Sequence, residues 1–281
     1  MFSIIIPSYN SEKTIGKTLA SILSQTWTKF DVLVVDNHST DKTEKIVKSF
    51  NDDRIKFYQI DNGGMPAISR NYGISLSNSN YLAFCDSDDC WDKNKLAMCA
   101  VYVKKGSGFI AHSLRLTGSP SKLGLGKVFQ RKPARTFEEF VENGNNIAQS
   151  SIVIRRDILD RVGLYSTDAK FIAVEDAHLW CRILRSGENL AYISSSLGSY
   201  HYSSTALTFK ANQFKANRAL RLEYFPNIKP GWYKYNIATY LMRKNMDRRA
   251  FRYLMSIMLG ASTSIELRLK SFFLLVQLWF R

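Results

Sequence analysis

Within its first hundred residues the chain alternates short apolar runs with amphipathic ones, and that rhythm leaves few folds open to it. Residues 2–6, 30–35, 55–60 and 81–85 are rich in β-branched, aromatic and other apolar side chains and are bounded by polar or turn-forming residues, the pattern of buried strands. Between the first two, Ser11 is placed to cap a helix whose Ile15, Leu19, Ile22 and Leu23 share one face. Residues 42–50 repeat the helical spacing with Ile46, Val47 and Phe50, and a third helix over 66–76 opens with Pro66, as first turns often do. A β-α-β-α-β-α-β order predicts a mainly parallel sheet with right-handed crossovers. Ligands of such sheets bind outside the carboxyl ends of the strands.

The fourth strand runs directly into Asp86-Ser87-Asp88-Asp89. Three carboxylates in four residues repel one another, and solvent, a basic neighbour or a hard divalent cation such as Mg²⁺ or Mn²⁺ could neutralise them. One reading is a metal that holds a diphosphate. The other is a solvated acidic turn capping the next helix.

Beyond Gly106 the rhythm changes. Residues 108–116 and 147–155 read as further strands, separated by a basic, glycine-containing loop over 117–135. Residues 157–162 read as a short helix closed by Gly163, and 175–186 as a helix with Leu179, Trp180, Ile183 and Leu184 toward the core, followed by Gly187. After Lys210 the chain becomes helical and basic-aromatic. This divides it into an α/β domain over 1–209 and a helical appendage over 210–281. The appendage ends in 267–281, where Phe272, Phe273, Leu274, Leu275, Val276, Leu278, Trp279 and Phe280 crowd beside Arg268, Lys270 and Arg281. That stretch suits an interfacial helix, a helix packed on the first domain, or a dimer contact. No run of about 18 apolar residues exists, so no spanning helix is predicted. The net charge of +15 points to a polyanionic partner: nucleic acid, a phosphorylated ligand or an anionic membrane surface. Cys85, Cys90, Cys99 and Cys181 lack metal-ligand spacing and read as thiols of a reducing compartment. A strand begins at residue 2, which leaves no room for a signal peptide.

Five motifs in order resemble the family 2 glycosyltransferases of the GT-A fold, of the bacterial polysaccharide and O-antigen type. They are Ile4-Ile5-Ile6-Pro7-Ser8-Tyr9-Asn10, Val34-Val35-Asp36-Asn37-His38-Ser39-Thr40-Asp41, Ser69-Arg70-Asn71-Tyr72-Gly73, Asp86-Ser87-Asp88-Asp89, and Glu175-Asp176 followed by Leu179-Trp180 and Arg182. The resemblance covers residues 1–205 and implies a Rossmann-like α/β domain. It implies that Pro7, Tyr9, Asn10, Asp36, Asn37, Arg70 and Asp86 bind a nucleotide-sugar. Asn37 stands where the family often has a second aspartate; an amide can still donate and accept toward a base, but uracil preference does not follow from it. The resemblance further implies that Asp88, Asp89 and His201, the last just past the predicted sheet, hold Mn²⁺ or Mg²⁺. Asp176 would take the acceptor proton while Glu175 orients the acceptor. Asp41 reads as a pocket residue or as the cap of the second helix, and Trp91 as a platform under the sugar or a core residue.

The implied activity is an inverting, metal-dependent transfer of a sugar from a nucleotide-sugar, UDP-hexose in particular, to a polyprenyl-diphosphate-linked sugar or another glycan. The implied setting is cytoplasmic, peripheral on the inner face of the membrane, to which the basic surface would be drawn. Two other classes compete. One is a catalytically inactive glycan-binding homologue, against which the intact acidic motifs argue. The other is a basic nucleic-acid-binding protein, but no recognition motif accompanies the charge, so no nucleic acid is expected as partner.

Overall fold

The computed structural model of the chain describes residues 1–118, 128–129, 133–202, 213–243, 245–260, 263 and 265–279. Strand and helix alternate through β1 (Phe2–Ser8), α1 (Ile15–Leu23), β2 (Phe30–Asp36), α2 (Thr43–Ser49), β3 (Ile55–Gln59), α3 (Pro66–Leu76) and β4 (Tyr81–Phe84). These strands pair in parallel in the order β3-β2-β1-β4, with Ile4 beside Val32 and Ile5 beside Phe84. The order reverses direction at β1, which makes the carboxyl ends of β1 and β4 the crevice where such sheets take ligands.

The sheet continues through β5 (Cys90–Trp91), β6 (Phe109–Thr117), β7 (Val128–Phe129), β8 (Val153–Arg155) and β9 (Ala191–His201). Beyond β4 the order is β8-β6-β9-β5, with β7 on β6, and directions are mixed: β6 and β9 are parallel, the other pairs antiparallel. The remaining helices are α4 (Lys95–Lys104), α5 (Phe137–Asn143), α6 (Arg156–Val162), α7 (Glu175–Arg185), α8 (Gln213–Tyr224), α9 (Gly231–Arg243), α10 (Asp247–Met258) and α11 (Ile265–Trp279).

Side chains alternate across the sheet. Ile4, Ile6, Val32 and Val34 pack with Ile15, Leu19 and Ile22 of α1 on one face, while Ile5, Leu33, Leu82 and Phe84 pack with Ile74, Leu179 and Trp180 on the other. Burial on both faces is why β1 and β2 read as continuous apolar runs. α3 lies so close to β1 that a Cβ at Gly73 would sit 2.6 Å from the Ile5 side chain. α8 packs Ala216 and Leu220 into the core that holds Phe84 and Trp180. A separate small core, with Ala238, Met242, Ala250, Leu254 and Ile257, belongs to α9 and α10.

Four local expectations differ from what is observed. Ser11 does not cap α1 with its hydroxyl, which lies 2.7 Å from Ser87 Oγ; its carbonyl accepts from Thr14 and Ile15 instead. Only Val153–Arg155 of the run 147–155 is strand, because Asn145 Oδ1 accepts from the Ile147 amide and Ser151 Oγ donates to the Ala148 carbonyl, bending the chain into a 3₁₀ turn over Gln149–Ser151. β9 was hidden by its Ser194-Ser195-Ser196 and Gly198, and by a register shift against β6. It brings His201 into the sheet rather than past it. Of the loop expected over 117–135, residues 128–129 form β7, and 119–127 and 130–132 lie outside the described residues.

Candidate active site

The rim of the crevice is built from the turns after β1 and β2. Asn10 adopts φ +46°, a left-handed conformation that asparagine tolerates better than most residues. Its amide donates to Ser39 Oγ at 2.7 Å and its Oδ1 accepts from the Thr40 amide at 2.9 Å, stitching the two turns together. Asp36, buried at the end of β2, accepts from the Ser39 amide and hydroxyl at 2.7 and 2.6 Å. Asn37 Oδ1 accepts from the Asn62 amide at 2.9 Å, tying in the loop before α3. Pro7 is half-buried, and Tyr9 is 59% exposed. Asp41 acts as a cap: Oδ1 accepts from the Thr43 amide and hydroxyl, and Oδ2 from the Glu12 amide.

The acidic cluster follows β4. Asp86 is partly exposed, and its amide donates to Ser150 Oγ at 2.9 Å. Asp89 is buried; Oδ1 accepts from the His201 amide at 2.7 Å, and Oδ2 has no hydrogen-bond partner. Burial together with Asp88 and Asp86 pushes the Asp89 carboxyl well above the ordinary carboxylate range. Burial and Asp86 push Asp88 up to about 6. A buried orphan oxygen and two carboxyls strained by like charge are what a hard divalent cation would relieve, so the donor chemistry fits one. Among the described residues no three His, Cys, Asp or Glu side chains already converge as a metal site. One or two carboxylates suffice when a substrate diphosphate completes the shell. The His201 backbone holds Asp89, and its ring lies against Gly118. Trp91 is buried, donating to the Ser150 carbonyl at 2.9 Å, which places it in the core.

Arg70 joins the two halves of the site. From α3 its Nη2 donates to Asp86 Oδ1 and its Nη1 to Glu175 Oε1, both at 2.9 Å, with the guanidinium 5.5 Å from the centre of the Tyr165 ring. Burial alone would lower its pKa, but Asp86 and Glu175 outweigh that and raise it. A fixed cation thus connects the carboxylate expected on the donor side with the one expected on the acceptor side.

Glu175 and Asp176 open α7, just after Ala173, whose φ of +68° is strained for a residue with a Cβ. Asp176 Oδ1 accepts from the Ala177 amide at 2.6 Å and Oδ2 from Asn145 Nδ2 at 3.3 Å. Those bonds, Arg70 and the positive end of the helix dipole favour the carboxylate, but burial and the charge of Glu175 win and push it up to about 7. A carboxyl poised near neutrality is suited to general base work.

Sequence reasoning missed the supports. Ser150 receives the Asp86 amide, and its carbonyl also accepts from Lys95 Nζ at 3.3 Å. Lys95 is fully buried, 3.1 Å from the centre of the Trp91 ring, and burial lowers its pKa to about 7. Asn145, on Asp176, is likewise new. A lone serine, lysine or asparagine carries no spacing signal from which such roles could be read.

Comparison with known proteins gives the chain a family. The family profile "Glycosyl transferase family 2" matches residues 3–163, from β1 through α6. The Escherichia coli UDP-Glc:alpha-D-GlcNAc-diphosphoundecaprenol beta-1,3-glucosyltransferase WfgD is 30% identical over 216 residues, covering 76% of this chain and 81% of WfgD. Staphylococcus aureus TarS 1-349, solved with UDP-GlcNAc, superposes with a TM-score of 0.65 at 21% identity over 95% of this chain and 77% of its own. The mannosyltransferase PcManGT from Pyrobaculum calidifontis, solved with GDP-Man and Mn²⁺, gives 0.61 at 15% identity over 95% and 77%. The chain belongs to glycosyl transferase family 2.

Proposed function

We propose that this chain is an inverting glycosyltransferase of bacterial surface polysaccharide synthesis, O-antigen or capsule. It moves a hexose from a UDP-sugar to a hydroxyl of a lipid-diphosphate-linked sugar, at the cytoplasmic face of the membrane. The observation that carries the reading is the chain Asp86–Arg70–Glu175 with Asp176 beside it: donor-side and acceptor-side carboxylates held by one buried guanidinium. WfgD, by its name, acts on a diphospholipid-linked GlcNAc with UDP-Glc and forms a β linkage, which supports the donor, the acceptor class and inversion.

In this reading Pro7, Tyr9, Asn10, Asp36 and Asn37 form the nucleoside end, with Tyr9 free to cover the base. Asp86 and Arg70 lie where the diphosphate and sugar begin. Asp176 receives the acceptor proton as the acceptor oxygen bonds to the anomeric carbon from the face opposite the departing UDP; the bond from that carbon to the diphosphate oxygen breaks, and configuration inverts. Glu175, fixed by Arg70, orients the acceptor. Mn²⁺ or Mg²⁺ would be held by Asp88 and Asp89 with His201 and would offset charge on the departing diphosphate.

The test is transfer to a synthetic lipid-diphosphate-linked GlcNAc from UDP-Glc, UDP-Gal, UDP-GlcNAc and GDP-Man, with Mn²⁺ and with chelator. A β-linked product from one UDP-hexose, lost with chelator, is expected. Retention of the donor's configuration, a GDP-sugar as the sole donor, or full turnover in chelator would each overturn the corresponding part.

A further inference from the structure

The positive charge of the chain is concentrated near its end. Residues 213–281, about a quarter of the length, contain 13 Lys and Arg against 3 Asp and Glu, and so hold ten of the fifteen net charges. Much of the exposed apolar surface lies in the same region. α11 packs Leu267, Leu274, Leu275 and Leu278 against the small core of α9 and α10. A helix on a protein surface is ordinarily polar on its other side. In α11 that side carries Ile265, Leu269, Phe272, Val276 and Trp279, alternately four and three residues apart and 37–85% exposed. On α10 Phe251 is exposed together with Arg248, Arg249 and Arg252. No helix among the described residues is long and apolar enough to cross a membrane.

A contiguous apolar stripe beside arginines marks a partner surface. A second copy of the chain would bring two strongly positive appendages together. Nucleic acid would meet the arginines but would gain little from an aliphatic stripe of Ile, Leu and Val. An anionic bilayer satisfies both features, since apolar side chains enter the acyl boundary while arginines meet the headgroups. We propose that the outward face of α11, flanked by the arginines of α10, docks the protein onto anionic phospholipid with α11 lying in the plane of the surface. The proposal deepens the functional reading and rests on its lipid-linked acceptor for its purpose.

The test uses the full chain and vesicles of phosphatidylglycerol with phosphatidylcholine, or phosphatidylcholine alone. Co-sedimentation is expected with the anionic vesicles, weakening with salt, and Trp279 fluorescence should shift to the blue on binding. F272S/W279S should reduce partitioning by at least about tenfold per aromatic removed. The replaced side chains are exposed, so the melting temperature should hold. Replacing Arg248, Arg249 and Arg252 with Gln should flatten the salt dependence. Equal sedimentation of F272S/W279S and the parent overturns the proposal. So does a dimer in light scattering that F272S/W279S dissolves, or duplex DNA bound more tightly than the vesicles. Transfer to a water-soluble acceptor, measured on the same variants, should be unchanged; its absence in the parent chain would count against the functional reading and not against docking.

Discussion

As the proposed general base, Asp176, its carboxyl pushed up to about 7, should make activity depend on pH. Only the deprotonated form can accept the acceptor proton. At pH 6 about one tenth of the molecules carry it and at pH 8 about nine tenths, so kcat/KM should climb about tenfold per unit below 7 and level off above. The second-largest cause of the shift is Glu175, so Glu175→Gln should move this limb toward lower pH while leaving a working base. Arg70, freed from Glu175, would act in the same direction. Asp176→Asn keeps the shape and loses the basicity; turnover should fall roughly 10²–10⁴-fold with donor affinity nearly unchanged. The raised value also sets a stability cost. The neutral carboxyl suits the fold, so its contribution is complete below the ordinary carboxylate pKa and is lost as pH rises through about 7. Asp176→Asn should therefore melt slightly higher than the parent at pH 8. The assay is initial-rate product formation over a range of acceptor concentrations across pH 5–9, giving kcat and kcat/KM, with donor binding by calorimetry at each end. An acid limb that stays in place in Glu175→Gln, or near-normal turnover in Asp176→Asn, would show that Asp176 is only a helix-start carboxylate.

Asp89→Asn removes a buried, like-charge-strained carboxyl, so the variant should melt higher at pH 8 by calorimetry while metal-dependent donor binding disappears. Arg70→Met strands Glu175 and Asp86 without their cation and should cost about 3–5 kcal/mol in urea unfolding; a loss below 1 kcal/mol would mean solvent already screens the pair. Gly73→Ala forces a methyl group to within 2.6 Å of Ile5, and despite the helix preference of alanine it should destabilise by about 1–3 kcal/mol in the same assay.

The parallel half of the sheet was legible because its strands are buried on both faces and separated by helices with clear apolar faces, as in 2–6 and α1. β9 was not, since a strand with three consecutive serines shows no apolar alternation; register with β6 holds it in place. The helix after the acidic turn, α4, was given no bounds because one of its buried positions is Lys95, which blurs the helical stripe. At the site, the acidic cluster stood out at the end of an apolar run, whereas the Glu-Asp pair was named by the family resemblance. The pairing of Arg70 with Glu175 could not be, since only tertiary structure brings α3 to the start of α7.

That pairing spans 105 residues of sequence, which has a consequence for how the protein is made. On a ribosome adding about 5–20 residues per second, Arg70 emerges roughly 5–20 s before Glu175. Through that interval a guanidinium destined for burial has only Asp86 to neutralise it, and the N-terminal half cannot close around it without cost. A fragment ending near residue 163 would remain in that condition permanently. The site proposed above is therefore incomplete until Glu175 has been made. Arg70 gains both of its carboxylate partners only when the start of α7 docks on α3, so a chain cut before that point holds its guanidinium with Asp86 alone.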